Sequence, residues 1–309
     1  MRLFLLGKRA SVTGWLEEAA AAFRTEGHAV EVGIVRNPWI AASIEAALTP
    51  PLAARLTVRA RRFRPELILA VGGFHVPRRI LEDLAAWPGR PPLVGWVGDL
   101  FDEGAAPLAA AYDLIAYTDS GLLARHRELG FSARALLAPH AVDPATPIPV
   151  RERRPQMVFV AVPTPGRLSA VAAIRSPTAL YGQGWPKLAP HEVHGRRVAH
   201  QELPAIYAGH LASLNVRNEY NVLVGLNQRH FQPPLAATPL VSDAQADLDL
   251  CFEPGKEVLV WRDVEELNAI HERLLAEPAQ ALAIGEAARR RVMADHTFAV
   301  RLAAIRRAL

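Results

Sequence analysis

Cysteine is almost absent from this chain. Cys251 is the single one among 309 residues, which excludes an intramolecular disulfide and any cysteine-cluster metal site. Long apolar runs are missing too. The opening MRLFLLGKRA is too short an apolar run for a secretory leader or a membrane span, and no other stretch approaches the roughly 18 uninterrupted apolar residues a span needs. These two absences lead to the expectation of a cytoplasmic protein. Acid and base nearly balance, at 31 against 35 residues for a formal charge of +4. The basic clusters RARRFR (59–64), RERR (151–154), RRR (289–291) and RR (306–307) read as solvated helix faces, or as a point of peripheral contact with an anionic membrane. No basic strand is interleaved with aromatics, so nucleic acid is not an expected partner.

Several catalytic signatures are also lacking. GxSxG and paired CxxC do not occur, which leaves hydrolase and thiol chemistry unsupported. GKRA at 7–10 lacks the flanking residues of a phosphate-binding P-loop, and HEVH at 191–194 lacks the i,i+4 histidine spacing of a zinc helix. DLD at 247–249 imitates an Asp-x-Asp metal motif but falls in a helical pattern. No metal site is expected.

What is present is regular alternation. Half the residues are hydrophobic, enough for sizeable cores, and the length suits two domains of about 150 residues. Apolar runs at 3–6, 29–35, 66–71, 93–97, 114–117 and 134–138 read as strands. Helical patterns such as WLEEAAAAFRTEG (15–27) and PRRILEDLAAW (77–87) lie between them. Continuous apolar strands separated by helices imply a parallel sheet covered on both faces. The segment DPATPIPVRERRP (143–155) holds four prolines and reads as a linker. A second run follows, with strands at 157–162, 178–181, 211–216, 239–241 and 257–260 and a loop at 183–200. The expectation is an α/β chain of two doubly wound, Rossmann-like domains, 1–150 and 151–309.

The second half carries a further signal. SLNV (213–216), NQRHF (227–231), TPLVSD (238–243), FEPGKEVLVWRDVEEL (252–267) and DHTFAVR (295–301) stand in the order found in CgeB-like glycosyltransferases, a family the region 155–309 resembles. The resemblance implies the GT-B architecture of two domains facing a cleft. It implies a donor nucleotide-diphosphate sugar on the C-terminal domain, an acceptor of unknown kind on the N-terminal one, and no cofactor beyond that co-substrate. The last helix is expected to cross back to the N-terminal domain.

Within that frame, the loop RNEYNVLVG leads toward a helix expected to start near Leu226. A helix N-terminus attracts anions. Gly225 would let the backbone approach a diphosphate, Arg229 would pair with its oxygens, and Asn215, Asn218 and Asn221 would supply neutral donors and acceptors. Gln232 stands where the family usually carries an acidic residue for the ribose. In TALYGQGW (178–185), Gly182 and Gly184 permit a tight turn, and Tyr181 or Trp185 could stack on the base. Arg167 matches an arginine of the family's first donor loop. On the acceptor side, GWVGDLFDEG (95–104) follows a buried strand. Asp99 is the expected general base, with His75 a second catalytic candidate, Asp102 an alternate and Trp96 a candidate sugar wall. Asp295 is expected to cap the last helix. Two other functions fit the same fold: a sugar-nucleotide epimerase, and a nucleotide-sugar-binding scaffold without turnover, which Gln232 and the prolines at 163 and 165 favour.

Overall fold

The computed structural model describes residues 1–8, 14–36 and 42–309. The chain divides into two compact units. The first comprises residues 1–139 together with 298–309, and the second comprises residues 140–297. The boundary therefore lies at 139/140 rather than 150/151, and the proline-rich segment is part of the second unit.

In the first unit the order is β1 (Arg2–Lys8), α1 (Trp15–Thr25), β2 (Ala29–Arg36), α2 (Ala42–Phe63), β3 (Leu67–Val71), α3 (Arg78–Ala85), β4 (Leu93–Val97), α4 (Ala106–Ala109), β5 (Leu114–Tyr117), α5 (Ser120–Glu128) and β6 (Arg134–Leu137). The six strands form one sheet, β2-β1-β3-β4-β5-β6, with every pair parallel. β3, β4 and β5 are buried along their whole length, as strands covered on both faces must be. α1 is a helix because its alanines and apolar residues recur with helical period. Glu17 and Glu18 in its first turn and Arg24 in its last complement the dipole. Residues 9–13, which include the end of the GKRA segment, lie outside the described residues.

The second unit runs β7 (Arg154–Val160), α6 (Pro165–Ala172), β8 (Thr178–Tyr181), β9 (Glu192–Val193), α7 (Leu203–Ala208), β10 (His210–Asn215), α8 (Gln232–Leu235), β11 (Leu240–Asp243), α9 (Leu248–Cys251), β12 (Val258–Trp261), α10 (Val264–Ala276) and α11 (Pro278–Asp295). Its sheet is β12-β11-β10-β7-β8-β9, again parallel throughout. The stretch 183–200 is not all loop, since β9 forms a two-residue edge strand within it. Arg153, from the RERR cluster, is drawn inward. Its guanidinium donates to the carbonyls of His210 (3.1 Å) and Ala237 (2.9 Å).

The last helix, α12 (Phe298–Ala308), belongs to the first unit. Phe298 meets Phe23 and Trp96 edge-on, with both centroid separations 5.9 Å. Arg301 Nε donates to the Pro139 carbonyl at 2.7 Å. Asp295 does not cap this helix. It is the final residue of α11, where it pairs with Arg291 four residues back at 2.8 Å. His296 is tied to the Cys251 carbonyl at 2.9 Å.

Candidate functional site

In a doubly wound sheet a crevice opens where successive crossovers leave a strand in opposite directions. In the second unit that strand is β7. The chain leaves it through α6 to β8 on one side and later returns through α7 to β10 on the other. The loops after β7 and β10 therefore diverge. Glu219, after β10, spans them. Its carboxylate accepts from Thr164 Oγ1 at 2.9 Å and from the Gly166 N–H at 3.3 Å. Burial pushes Glu219 up, but these donors and nearby Arg167 bring it below the usual glutamate range. Thr164 in turn caps α6.

Arg167 lies beneath this bridge. It is wholly buried. Its Nε donates to the Val216 carbonyl and its Nη1 to the Val162 carbonyl, both at 3.1 Å, so it ties the two diverging loops together. Nη2 is buried with no partner. Burial, and then the neighbouring positive charge of Arg229, push its pKa down to about 9. The family-matched arginine is thus a structural tie with one unused donor, not an open side chain.

The expected helix at Leu226 is absent. A 3₁₀ turn, Gln228–His230, precedes the four-residue α8. Pro233 and Pro234 inside α8 lack the N–H groups that would extend a ladder. Asn227 caps the turn, accepting from the Arg229 N–H at 2.9 Å. A helix dipole is therefore a weaker source of positive potential here than the arginines themselves. Arg229 Nε is buried and has no partner, and burial lowers its pKa.

His230 is the residue that sequence reasoning missed. It is wholly buried. Its Nδ1 lies 3.2 Å from the Asn227 carbonyl, so Nδ1 carries the proton and Nε2 accepts. Around Nε2 stand Asn215 Nδ2 at 3.0 Å, Ser242 Oγ at 3.1 Å and Gln245 Nε2 at 3.1 Å. Burial pushes its pKa down to about 3, so it stays neutral at physiological pH. This network joins the ends of β10 and β11 to the turn that holds Arg229. Asp243 completes it, accepting from the Arg217 N–H and from Gln245. Burial raises the Asp243 pKa despite those bonds. The signal available in sequence was the His in NQRHF beside the Ser-Asp of TPLVSD.

The other donor candidates divide. Asn215 belongs to the buried network, and Asn218 accepts from the Tyr220 N–H in the exposed loop. Asn221 and Gly225 lie further along the same loop, and Gln232 is buried at the first position of α8. Tyr181 and Trp185 offer no open face for a base. Tyr181 is already stacked on His194, with centroids 3.9 Å apart. Trp185 is buried and its Nε1 donates to the Ala161 carbonyl at 2.7 Å. Gly182 is required, because a Cβ there would sit 2.0 Å from the Ala161 oxygen.

In the first unit, the loops after β3 and β4 bring His75 and Asp99 together. His75 Nε2 lies 2.7 Å from Asp99 Oδ2, with both side chains about two-fifths exposed. Trp96 and Asp102 take up other positions in the first unit. Trp96 is fully buried, with Nε1 bonded to the Ala138 carbonyl at 2.9 Å, and is a core residue rather than a sugar wall. Asp102 caps a 3₁₀ turn by accepting from the Gly104 N–H at 2.9 Å.

Residues 167–307 match the family model described as glycosyl transferase-like. Sucrose-phosphate synthase from Thermosynechococcus elongatus superposes with a TM-score of 0.73 at 14% identity, covering 99% of this chain and 98% of its own. HepE from Anabaena, in complex with UDP and glucose, gives 0.70 at 14% identity over 99% and 98%. A trehalose-6-phosphate synthase, OtsA, gives 0.69 at 13% identity over 100% and 99%. The fold is that of the GT-B glycosyltransferases. No curated protein matches the sequence. GT-B chains of this kind carry two parallel α/β sheets, which the two six-stranded sheets here reproduce. No helix among the described residues is long and apolar enough to cross a membrane.

Proposed function

We propose that this protein transfers a sugar from a nucleotide-diphosphate donor to a hydroxyl-bearing acceptor, as a CgeB-like enzyme that needs no metal. The observation that carries the reading is the pair Arg167 and Arg229. Each keeps a buried guanidinium nitrogen without a partner, and Arg229 disfavours the charge on Arg167. A buried, under-satisfied cation is costly. The negative charge of a diphosphate arriving at the diverging loops of β7 and β10 would offset that cost.

As the bond from the anomeric carbon to phosphate oxygen breaks, its electron pair leaves with the diphosphate. The two arginines would stabilise that developing charge, and they stabilise it most in the transition state. The acceptor oxygen forms the new bond to carbon and gives up its proton. The His75–Asp99 pair would receive it. With Nε2–H donated to Asp99, Nδ1 presents a lone pair, and the carboxylate stabilises the imidazolium that forms. Asp99 then acts through His75 rather than directly. Gln232, lacking a negative charge, would bind the ribose as a neutral hydrogen-bonding group.

A scaffold that binds the nucleotide sugar without turnover is the second reading. Gln232 favours it, as does the use of Arg167 as a loop tie. Calorimetry over a panel of nucleotide sugars, UDP-sugars first because the HepE structure holds UDP, followed by a product assay in EDTA, separates the two. Turnover that persists under chelation supports the enzyme. Binding without product supports the scaffold, and loss of turnover restored by manganese or magnesium contradicts metal independence.

A further inference from the structure

Basic clusters in this sequence meet different fates in the fold. Arg154 pairs with Glu192, and Arg291 with Glu257 and Asp295. Arg78 and Arg79 on α3, which packs beside α2, are each matched by a carboxylate one turn on. The cluster on α2 differs. At 100° per residue, Leu48, Pro51, Ala54, Arg55, Val58, Arg61 and Arg62 share an arc of about 140°, and all are exposed. Ala53, Leu56, Thr57 and Ala60 occupy the opposite, buried arc.

No acidic residue occurs between positions 46 and 65. Arg59, at the margin, is bound by Glu31 at 2.8 Å, and the Arg61 guanidinium lies over Trp87 at 5.7 Å. Among the described residues Arg55 and Arg62 have no ion-pair partner. Between and beside them stand Val58, 64% exposed, and Leu48, 49% exposed. A merely solvated face would carry both charge signs and few apolar side chains. This one alternates cations with exposed aliphatic groups.

We propose that this face of α2 seats the protein on an anionic lipid bilayer. Arginine stems lie along the apolar boundary while their guanidinium groups reach lipid phosphates. Val58 and Leu48 enter the acyl edge. Nucleic acid fits less well, because the arc has no aromatic platform and would bury aliphatic groups against a charged backbone. The proposal does not depend on the glycosyl-transfer reading.

The test is co-sedimentation of the full chain with vesicles of phosphatidylglycerol mixed with phosphatidylcholine, against phosphatidylcholine alone. Partitioning onto the anionic vesicles, falling with salt, is expected. At about a fivefold loss per arginine removed from a charged surface, Arg55→Gln with Arg62→Gln lowers it about thirtyfold. Leu48→Ser with Val58→Ser lowers it about fivefold or more. Arg289→Gln with Arg290→Gln, exposed on α11, removes the same charge elsewhere and leaves it nearly unchanged. Equal loss in that control, no preference for anionic vesicles, or binding to a DNA duplex but not to vesicles would each overturn the proposal.

Discussion

His75 and Asp99 lie 24 residues apart in sequence and 2.7 Å apart in space. Their pairing joins two separate candidates into one hydrogen-bonded unit, to which the proposed mechanism gives the acceptor's proton. In the proposed mechanism, replacing His75 by Gln removes the proton acceptor, and turnover is expected to fall about 10²–10⁴-fold. Replacing Asp99 by Asn is expected to cut turnover comparably by favouring the wrong tautomer, while Asp99→Glu restores part of it. Donor affinity should hold in all three variants, since the donor-side arginines belong to the other unit. Near-normal turnover in His75→Gln would remove the pair from the mechanism. A second residue-scale expectation concerns His271, buried on α10, whose pKa burial and then nearby His191 push down to about 4. A histidine depressed when folded and near 6.5 when unfolded binds fewer protons in the native state between those values. Stability is therefore whole above about pH 6.5 and falls as pH drops toward 4, by roughly 3 kcal/mol for a shift of this size. His271→Leu should flatten that part of the stability–pH curve in chemical denaturation. An unchanged slope would contradict the assignment.

At the scale of elements, the close packing of α11 on α8 tests the fold through one glycine. Ala in place of Gly within a helix ordinarily stabilises by up to about 1 kcal/mol. Gly285 should reverse that sign, because a Cβ there would lie 2.1 Å from the Ala237 carbonyl oxygen. Gly285→Ala is expected to destabilise by about 1–3 kcal/mol in denaturant titration; a stabilised variant would mean that α11 does not approach α8 so closely. Strands were legible to within a few residues because continuous apolar runs such as Leu93–Val97 admit little else. Short helices were not. The expected helix at Leu226 drew on the loop preceding it, yet Asn227 starts only a 3₁₀ turn, Pro233-Pro234 are disfavoured in the interior of a helix begun there, and the positive φ of Ala237 turns the chain away after α8. α2 carries Pro50 and Pro51 inside the helix, and prolines, which lack a ladder donor, weaken the helical pattern of its sequence.

For the whole molecule, the doubly wound order of both sheets follows from strand–helix alternation, and the return of α12 to the first unit from the resemblance. The site was less legible, because sequence gives residue type but not burial. Trp96 and Trp185 read as stacking platforms and proved to be core residues with bonded indole nitrogens. His230, unremarked in sequence, holds the network behind Arg229. What the whole fold supplies is a crevice between diverging loops where two arginines each keep a buried guanidinium nitrogen without a hydrogen-bond partner. The most direct measurement is isothermal titration of a nucleoside diphosphate, beginning with UDP, against the native protein and Arg229→Ala, with the nucleoside as control. Binding is expected to require the phosphates and to weaken by about 1.5–3 kcal/mol in the variant, with thermal stability nearly preserved. A diphosphate that does not bind, or binds equally well to Arg229→Ala, would contradict it.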